Sequence, residues 1–296
     1  MYLIQALLIT AQVALAAITP GSLSQVTENF GSNPRKVGFY IYVPTKLSEN
    51  PPIVVASHHC QGTAPGYFKS SNYKPLADKH GFIIIYPNSP YSGTCFDMSS
   101  KATLTHDGGG DTTGIANMVR WTLEKYKANP KKVFAFGTSS GAMMTNVLAA
   151  TYPDLFAAAI VYAGVPAGCF MSSANAINAW NSTCANGQSS ASSEKWASVV
   201  KNMYPGYTGP RPRMQIYHGG ADTTLKPNNY KETIKQWAGV FGFDAEKPAS
   251  KAAGPSGFTS SRWGSPVVQL EGNFNPSVGH NLQVFGSRDM EWFGIA

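Results

Sequence analysis

The sequence predicts an α/β fold, with a mainly parallel central sheet and helices on both faces. Three observations carry this expectation. Short β-branched and aromatic runs alternate with helix-patterned segments along the chain. Several of these runs are apolar without interruption, as expected of strands buried on both faces. Gly, Pro or Asn bounds them, which sets strands apart from longer buried helices. Strand–helix alternation of this kind points to parallel strands joined by crossovers.

The elements follow in order. Residues 39–43 read as a strand that Pro44 ends, and 53–57 and 82–86 read as two more. Ile115, Met118, Val119, Thr122, Leu123 and Tyr126 then fall on one helical face, with Asp111 and Thr112 offered as its N-cap. A strand at 132–136 precedes a segment, 141–150, that is apolar nearly all round and so reads as a buried helix. Strands are expected at 159–162 and 214–217, a helix over 230–240 ending near Gly242, and a last strand at 267–270. Residues 171–193 are rich in Ser, Ala and Asn and read as an excursion within the domain. No repeat or Pro/Ser/Thr-rich linker divides the chain. One domain over 18–296, with no accessory binding module, is the expectation.

Of the 296 residues, 43% are apolar and only 13% charged, so the core is sizeable and the surface largely neutral. Such a surface suits a neutral polar substrate. The net charge is +7, but Lys and Arg are scattered. The densest group, Lys125, Lys127, Lys131 and Lys132, reads as a solvated helix end, so no nucleic-acid partner is expected. Residues 1–17 read as a signal peptide. An apolar run from Leu7 to Leu15 ends in a small-x-small site at Ala14 and Ala16, although no Lys or Arg precedes it. No stretch is long enough for a membrane span. The protein is expected to be secreted and monomeric.

Four cysteines in an exported chain suggest two disulfides. Three pairings are open; Cys60–Cys95 with Cys169–Cys184 is preferred, because the second bridge closes a Ser- and Asn-rich loop with little else to hold it. Each bridge would contribute ~2–4 kcal/mol, mainly by restricting the unfolded chain. Asn181 begins a glycosylation sequon in the same loop.

Gly137-Thr138-Ser139-Ser140-Gly141 matches G-x-S-x-G. The match has weight because a strand is expected to end at Phe136 and a buried helix to begin at Ser140. That setting makes a nucleophile elbow, and with it an α/β-hydrolase fold. A Ser hydroxyl needs a base. In this fold the order is Ser, acid, His, and only His218 and His280 follow Ser139. His280, in a loop after the last expected strand, is the better base; His218, at a strand end, is expected to pack or hydrogen-bond beneath the site. Between Ser139 and His280, Asp222 lies just beyond a strand end and is the expected acid. Asp154 reads as a turn residue, Asp244 as a surface charge, and Glu271 as the end of a strand. The oxyanion hole is assigned to the backbone N–H groups of Ser140 and Cys60.

Adjacent His58 and His59 invite a metal reading, but neighbouring strand residues point to opposite faces and no ligand set accompanies them. Gly108-Gly109-Gly110-Asp111 lacks the ending of a phosphate loop. No cofactor and no metal are expected.

The chain resembles the secreted fungal esterases of carbohydrate esterase family 1, related to the polyhydroxybutyrate-depolymerase-like esterases, and is most similar to the acetylxylan esterases there. The segments 38–44, 58–67, 86–92, 105–112, 137–146, 216–224, 278–280 and 289–294 carry the resemblance, which covers essentially the whole mature chain. It implies deacetylation of xylan, with nucleophile, acid and base at Ser139, Asp222 and His280. Related members release ferulate instead, so a feruloyl esterase is the alternative. A non-catalytic carbohydrate-binding relative would normally have lost a triad member, and none is missing here.

Overall fold

The structure is a computed structural model and describes residues 17–296. All but the last residue of the expected signal peptide lie outside the described residues.

Ten strands form one sheet in the order β1-β2-β4-β3-β5-β6-β7-β10-β9-β8. Its centre is a parallel block: β4 (Ile83–Asn88), β3 (Ile53–Ser57), β5 (Val133–Thr138), β6 (Ala158–Tyr162), β7 (Arg213–Gly219) and β10 (Leu270–Asn275). Antiparallel strands extend both edges, β2 (Gly38–Tyr42) and β1 (Leu23–Gln25) on one side, β9 (Thr259–Trp263) and β8 (Ser250–Ala253) on the other.

The uninterrupted apolar runs are explained by the two faces. Within β3 and β5, Val55 and Ala135 belong to one core, and Val54, Phe134 and Phe136 to the other. Over the first face lie α3 (Asp111–Tyr126), α4 (Ser140–Thr151) and α7 (Asn228–Phe241), which contribute Ile115, Met144 and Trp237. Over the second lie α1 (Ala64–Ser70), α2 (Tyr73–His80) and α8 (Gly286–Phe293), with Tyr67, Tyr73 and Met290. Each large apolar side chain so buried stabilises the fold by about 1.5–3 kcal/mol. Every residue of α4 is buried, which is why its sequence shows no polar face. Two short helices, α5 (Ser182–Ala185) and α6 (Ser193–Asn202), lie in and after the 171–193 excursion.

Two expectations need correction. The last parallel strand is not at 267–270 but at Leu270–Asn275, and Val267 stands 59% exposed before it. The strand is hard to see because Glu271, Asn273 and Asn275 are buried polar residues. Glu271 accepts hydrogen bonds from Gln215 (2.8 Å), Arg262 (2.5 Å) and Asn273 (3.1 Å), so its burial leaves no charge unpaired. The N-cap of α3 is Gly110, not Asp111 or Thr112. Asp111 is the first helical residue, and its carboxyl group turns away to accept from Tyr91 (2.6 Å) and from the amide of Asp97 (2.9 Å). Burial pushes that carboxyl up to about 7.

Candidate active site

Ser139 occupies the turn between β5 and α4 with φ 54° and ψ −117°, a conformation L-residues rarely adopt, costing about 1–3 kcal/mol. The strain persists because the surroundings leave no alternative. The Ser139 amide donates to the Tyr162 carbonyl at 2.9 Å. A Cβ on Gly141 would lie 1.9 Å from the Ser57 carbonyl oxygen, so only glycine lets α4 start against the end of β3. Gly137 is required for the same reason, since a Cβ there would lie 2.3 Å from the Gly141 carbonyl carbon.

Asp222 and His280 come from loops after β7 and β10, adjacent parallel strands that end on the same edge as β5. The Ala221 amide donates to the Val278 carbonyl at 3.0 Å, joining the two loops. His280 Nδ1 is 2.7 Å from Asp222 Oδ2, and His280 Nε2 is 2.9 Å from Ser139 Oγ. With Asp222 ionised, Nδ1 carries the ring proton and Nε2 presents its lone pair to the Ser139 hydroxyl. The Asp222 side chain is fully buried. Burial favours its neutral form, but the hydrogen bond and charge of His280 and the Leu225 amide outweigh this and hold the carboxyl below its ordinary value. Its other oxygen accepts from the Thr224 and Leu225 amides, each at 2.8 Å.

His218 lies beneath this group. Its Nε2 is 2.9 Å from the Leu225 carbonyl oxygen and 3.4 Å from Asp222 Oδ2. Burial pushes its pKa down, so it is a neutral ring that braces the Asp222 loop. Asp154 and Asp244 stand on the surface, and Glu271 is engaged by Arg262 within the sheet.

Ser139, Ser140 and Cys60 line one cleft of about 1060 Å³ with His280. Among the described residues, neither the Cys60 nor the Ser140 amide donates to a protein acceptor. Ser140 opens α4, where an N–H has no intrahelical partner and favours negative charge. The peptide unit that carries the Cys60 N–H is fixed from its other end. The His59 carbonyl oxygen is 2.7 Å from His58 Nδ1 and accepts the Gly62 N–H at 3.0 Å. His58 Nε2 accepts from the Ser89 amide (3.2 Å), which sets the tautomer that makes Nδ1 the donor. Burial lowers the His58 pKa to about 4, so the ring is neutral. The sequence offered His58 only as a metal ligand; its neighbour His59 points into the cleft instead. Among the described residues, no cluster of three or more His, Cys, Asp or Glu side chains could hold a metal ion.

Cys60 is bonded to Cys95, and Cys169 to Cys184. The first bridge ties the Cys60 loop to the segment whose Phe96 amide donates to Ser140 Oγ at 2.8 Å. Asn181 caps α5, accepting the Cys184 amide at 3.0 Å. Among the described residues, the cleft lining includes Gln61, Asn72, Asn178, Trp180, Asn281 and Gln283, and no Lys, Arg, Asp or Glu. Among the described residues, no helix is long and apolar enough to cross a membrane.

Residues 37–256 match the family model of the esterase PHB depolymerases. The chain is 60% identical over 278 residues to a protein of Aspergillus clavatus named probable acetylxylan esterase A, spanning 93% of this chain and 89% of that one. It is 58% identical to acetylxylan esterase A of Aspergillus oryzae, with the same coverage. The solved structure of an acetyl xylan esterase from Aspergillus awamori superposes with a TM-score of 0.91 at 58% identity, covering 93% of this chain and 100% of that one.

Proposed function

The chain belongs to the PHB depolymerase esterase family, and we propose that it is a secreted serine esterase that removes acetyl groups from xylan. The observation that carries this reading is the hydrogen-bonded series from Ser139 through His280 to Asp222, opening into a cleft free of fixed charge. The names of its relatives supply the acyl group and the polymer. An uncharged cleft in which amide and hydroxyl side chains alternate with apolar ones such as Met143, Phe170 and Trp180 suits a neutral sugar chain, because no ionised group has to lose its hydration when the sugar binds.

His280 Nε2 takes the proton of Ser139 Oγ as the oxygen attacks the acetyl carbonyl. The tetrahedral oxyanion receives the N–H groups of Cys60 and Ser140, each worth roughly 2.7–4 kcal/mol in the transition state. The imidazolium, stabilised by ionised Asp222, returns its proton to the departing sugar oxygen. Water then enters, gives a proton to His280, and its oxygen attacks the acetyl-enzyme. Acetate leaves and Ser139 regains its proton. Asp222 stays ionised throughout, as its depressed pKa favours.

The remaining assignments are of the same kind. Removal of residues 1–17, a glycan on Asn181 and action outside the cell agree with two disulfides and a sequon in a disulfide-closed loop, and we propose that the enzyme acts as a monomer. The substrate is tested by comparing acetate release from acetylated xylan with ferulate release from methyl ferulate, with Ser139→Ala as control. Acetate far in excess, lost in the variant, is the expected result. Dominant ferulate release would overturn the substrate while leaving the serine mechanism in place.

A further inference from the structure

Four large apolar side chains stand exposed among the described residues, and three of them share one stretch: Met171 (59%), Ile177 (44%) and Trp180 (57%). The stretch lies within the loop closed by the Cys169–Cys184 bridge. Phe170, Asn178 and Trp180 line the catalytic cleft. Met171 and Ile177 do not line the cleft themselves, but each is exposed and is the chain neighbour of a residue that does.

The loop is not free to turn these side chains inward. Asp97, with no exposed surface, accepts the Asn178 amide at 2.9 Å and the Ser99 amide at 3.0 Å. Burial works against its charge, but hydrogen bonds from Ser100, Asn178 and Ser99 outweigh this and keep it ionised. Ser99 Oγ donates to the Ala176 carbonyl and accepts the Ala179 amide, both at 2.8 Å. The Ser172 amide reaches the Ser99 carbonyl at 2.9 Å, and Asn175 Oδ1 accepts the Lys101 amide at 2.7 Å. The backbone is therefore held on both sides of Ile177 and immediately after Met171. A buried carboxylate and its donors form a rigid base beneath a surface of exposed hydrocarbon, an arrangement that a merely solvated loop does not need.

We propose that Met171 and Ile177 form an accessory subsite for the substrate polymer, receiving xylosyl units next to the one whose ester is cut. The proposal rests on the acetylxylan reading above. Exposed Trp180, from the same disulfide-closed loop, lines the cleft, and a polymer longer than the cleft must leave it over neighbouring surface. Xylose rings present C–H faces, and acetyl groups add methyls, so an acetylated chain offers apolar surface to Met171 and Ile177. Met is flexible and polarizable and adapts to an irregular pattern of acetylation. Apolar contact is non-directional, so the subsite would hold the chain without fixing which hydroxyl is acetylated.

The test is the double variant Met171→Ser/Ile177→Ser, assayed on polymeric acetylated xylan and on p-nitrophenyl acetate, with sedimentation velocity on both proteins. We expect kcat/KM on the polymer to fall about 5–10-fold, mostly through KM, with p-nitrophenyl acetate hydrolysis unchanged. Equal rates on the polymer, or equal losses on both substrates, would overturn the proposal. So would a wild-type dimer that the variant dissociates, which would make the patch a contact between copies of the chain. Wild-type protein that cleaves p-nitrophenyl acetate but not acetylated xylan would refute the substrate reading itself, separately from the subsite. Should the double variant fail to fold, Met171→Ser alone is assayed against the same criteria.

Discussion

Ser139 and His280 approach to 2.9 Å, yet the chain secures them by opposite means. Ser139 is held by backbone and by missing side chains: a strand end, a helix start and a glycine that lets them touch within five residues. His280 is held by side chains far apart in sequence. Its partner Asp222 lies 58 residues away. The segment after His280 is anchored by Tyr162, whose hydroxyl accepts the Phe285 amide at 3.0 Å and donates to buried Asp289 at 2.6 Å. Tyr73 donates to the other Asp289 oxygen, also at 2.6 Å. Tyr162 serves both arms, since its carbonyl takes the Ser139 amide. The contrast indicates that a local steric device can fix a strained serine, whereas a histidine on a long loop depends on a buried polar network.

The largest expected effect comes from breaking the base arm at its tip. His280→Ala should lower kcat by about 10⁶-fold while leaving the thermal midpoint near wild type. Asp222→Asn follows, with a loss of about 10⁴-fold, because an amide at this position lets the imidazole adopt the wrong tautomer. Steady-state rates and calorimetry on the two variants would show whether they differ in this order; a lowered midpoint would mean that the base arm also supports the fold.

Two glycines sharpen the comparison. Alanine at Gly141 meets the Ser57 carbonyl at 1.9 Å, in the centre of the sheet; alanine at Gly219 meets the Val278 carbonyl at 2.1 Å, in the histidine loop. Gly141→Ala should cost about 3 kcal/mol or prevent folding, because the sheet cannot move aside. Gly219→Ala should fold with a smaller loss of midpoint, but with lower kcat as the His280 loop shifts. Equal thermal losses would erase the distinction between the arms.

A smaller effect is expected at the His59–Cys60 peptide proposed for the oxyanion hole. His58→Phe removes one donor to the His59 carbonyl while keeping a ring, and should lower kcat about tenfold with little change in KM, less than the loss of a direct oxyanion donor. A change in KM alone would assign His58 to substrate binding instead.

The smallest effect is a pH dependence. Burial raises the Asp289 carboxyl to about 6, above its unfolded value of about 3.9, so the folded state binds more protons between those values. This group's contribution to stability is therefore fully present below about pH 4 and is lost as the pH rises through 6. Asp289→Asn removes that titration. The midpoint of the variant relative to wild type should improve from pH 4 to pH 7, and a difference that stays flat over this range would contradict the account.

What the sequence disclosed follows the same division. The parallel centre was legible because its strands are apolar runs, and Ser139 because the elbow is contiguous. His280 and Asp222 were reached through chain order and loop position rather than through any local pattern. The last parallel strand was placed too early, with Glu271 read as its end, because buried Glu271 and Asn273 do not look like strand interior until Gln215 and Arg262, supplied by other strands, pair with Glu271. Tyr162 and Asp289 were invisible for the same reason: 127 residues separate a strand tyrosine from a helix aspartate, and only folding makes them one unit.

The central claim, that Ser139 is the nucleophile activated by His280, is tested most directly by covalent trapping. Enzyme inactivated with a phosphonofluoridate would be digested and the adduct located by mass spectrometry, alongside the residual esterase activity. One adduct per chain on Ser139, forming in step with loss of activity and absent in His280→Ala over the same time, is the predicted result. An adduct on another residue, or full activity in protein whose Ser139 is blocked, would contradict it.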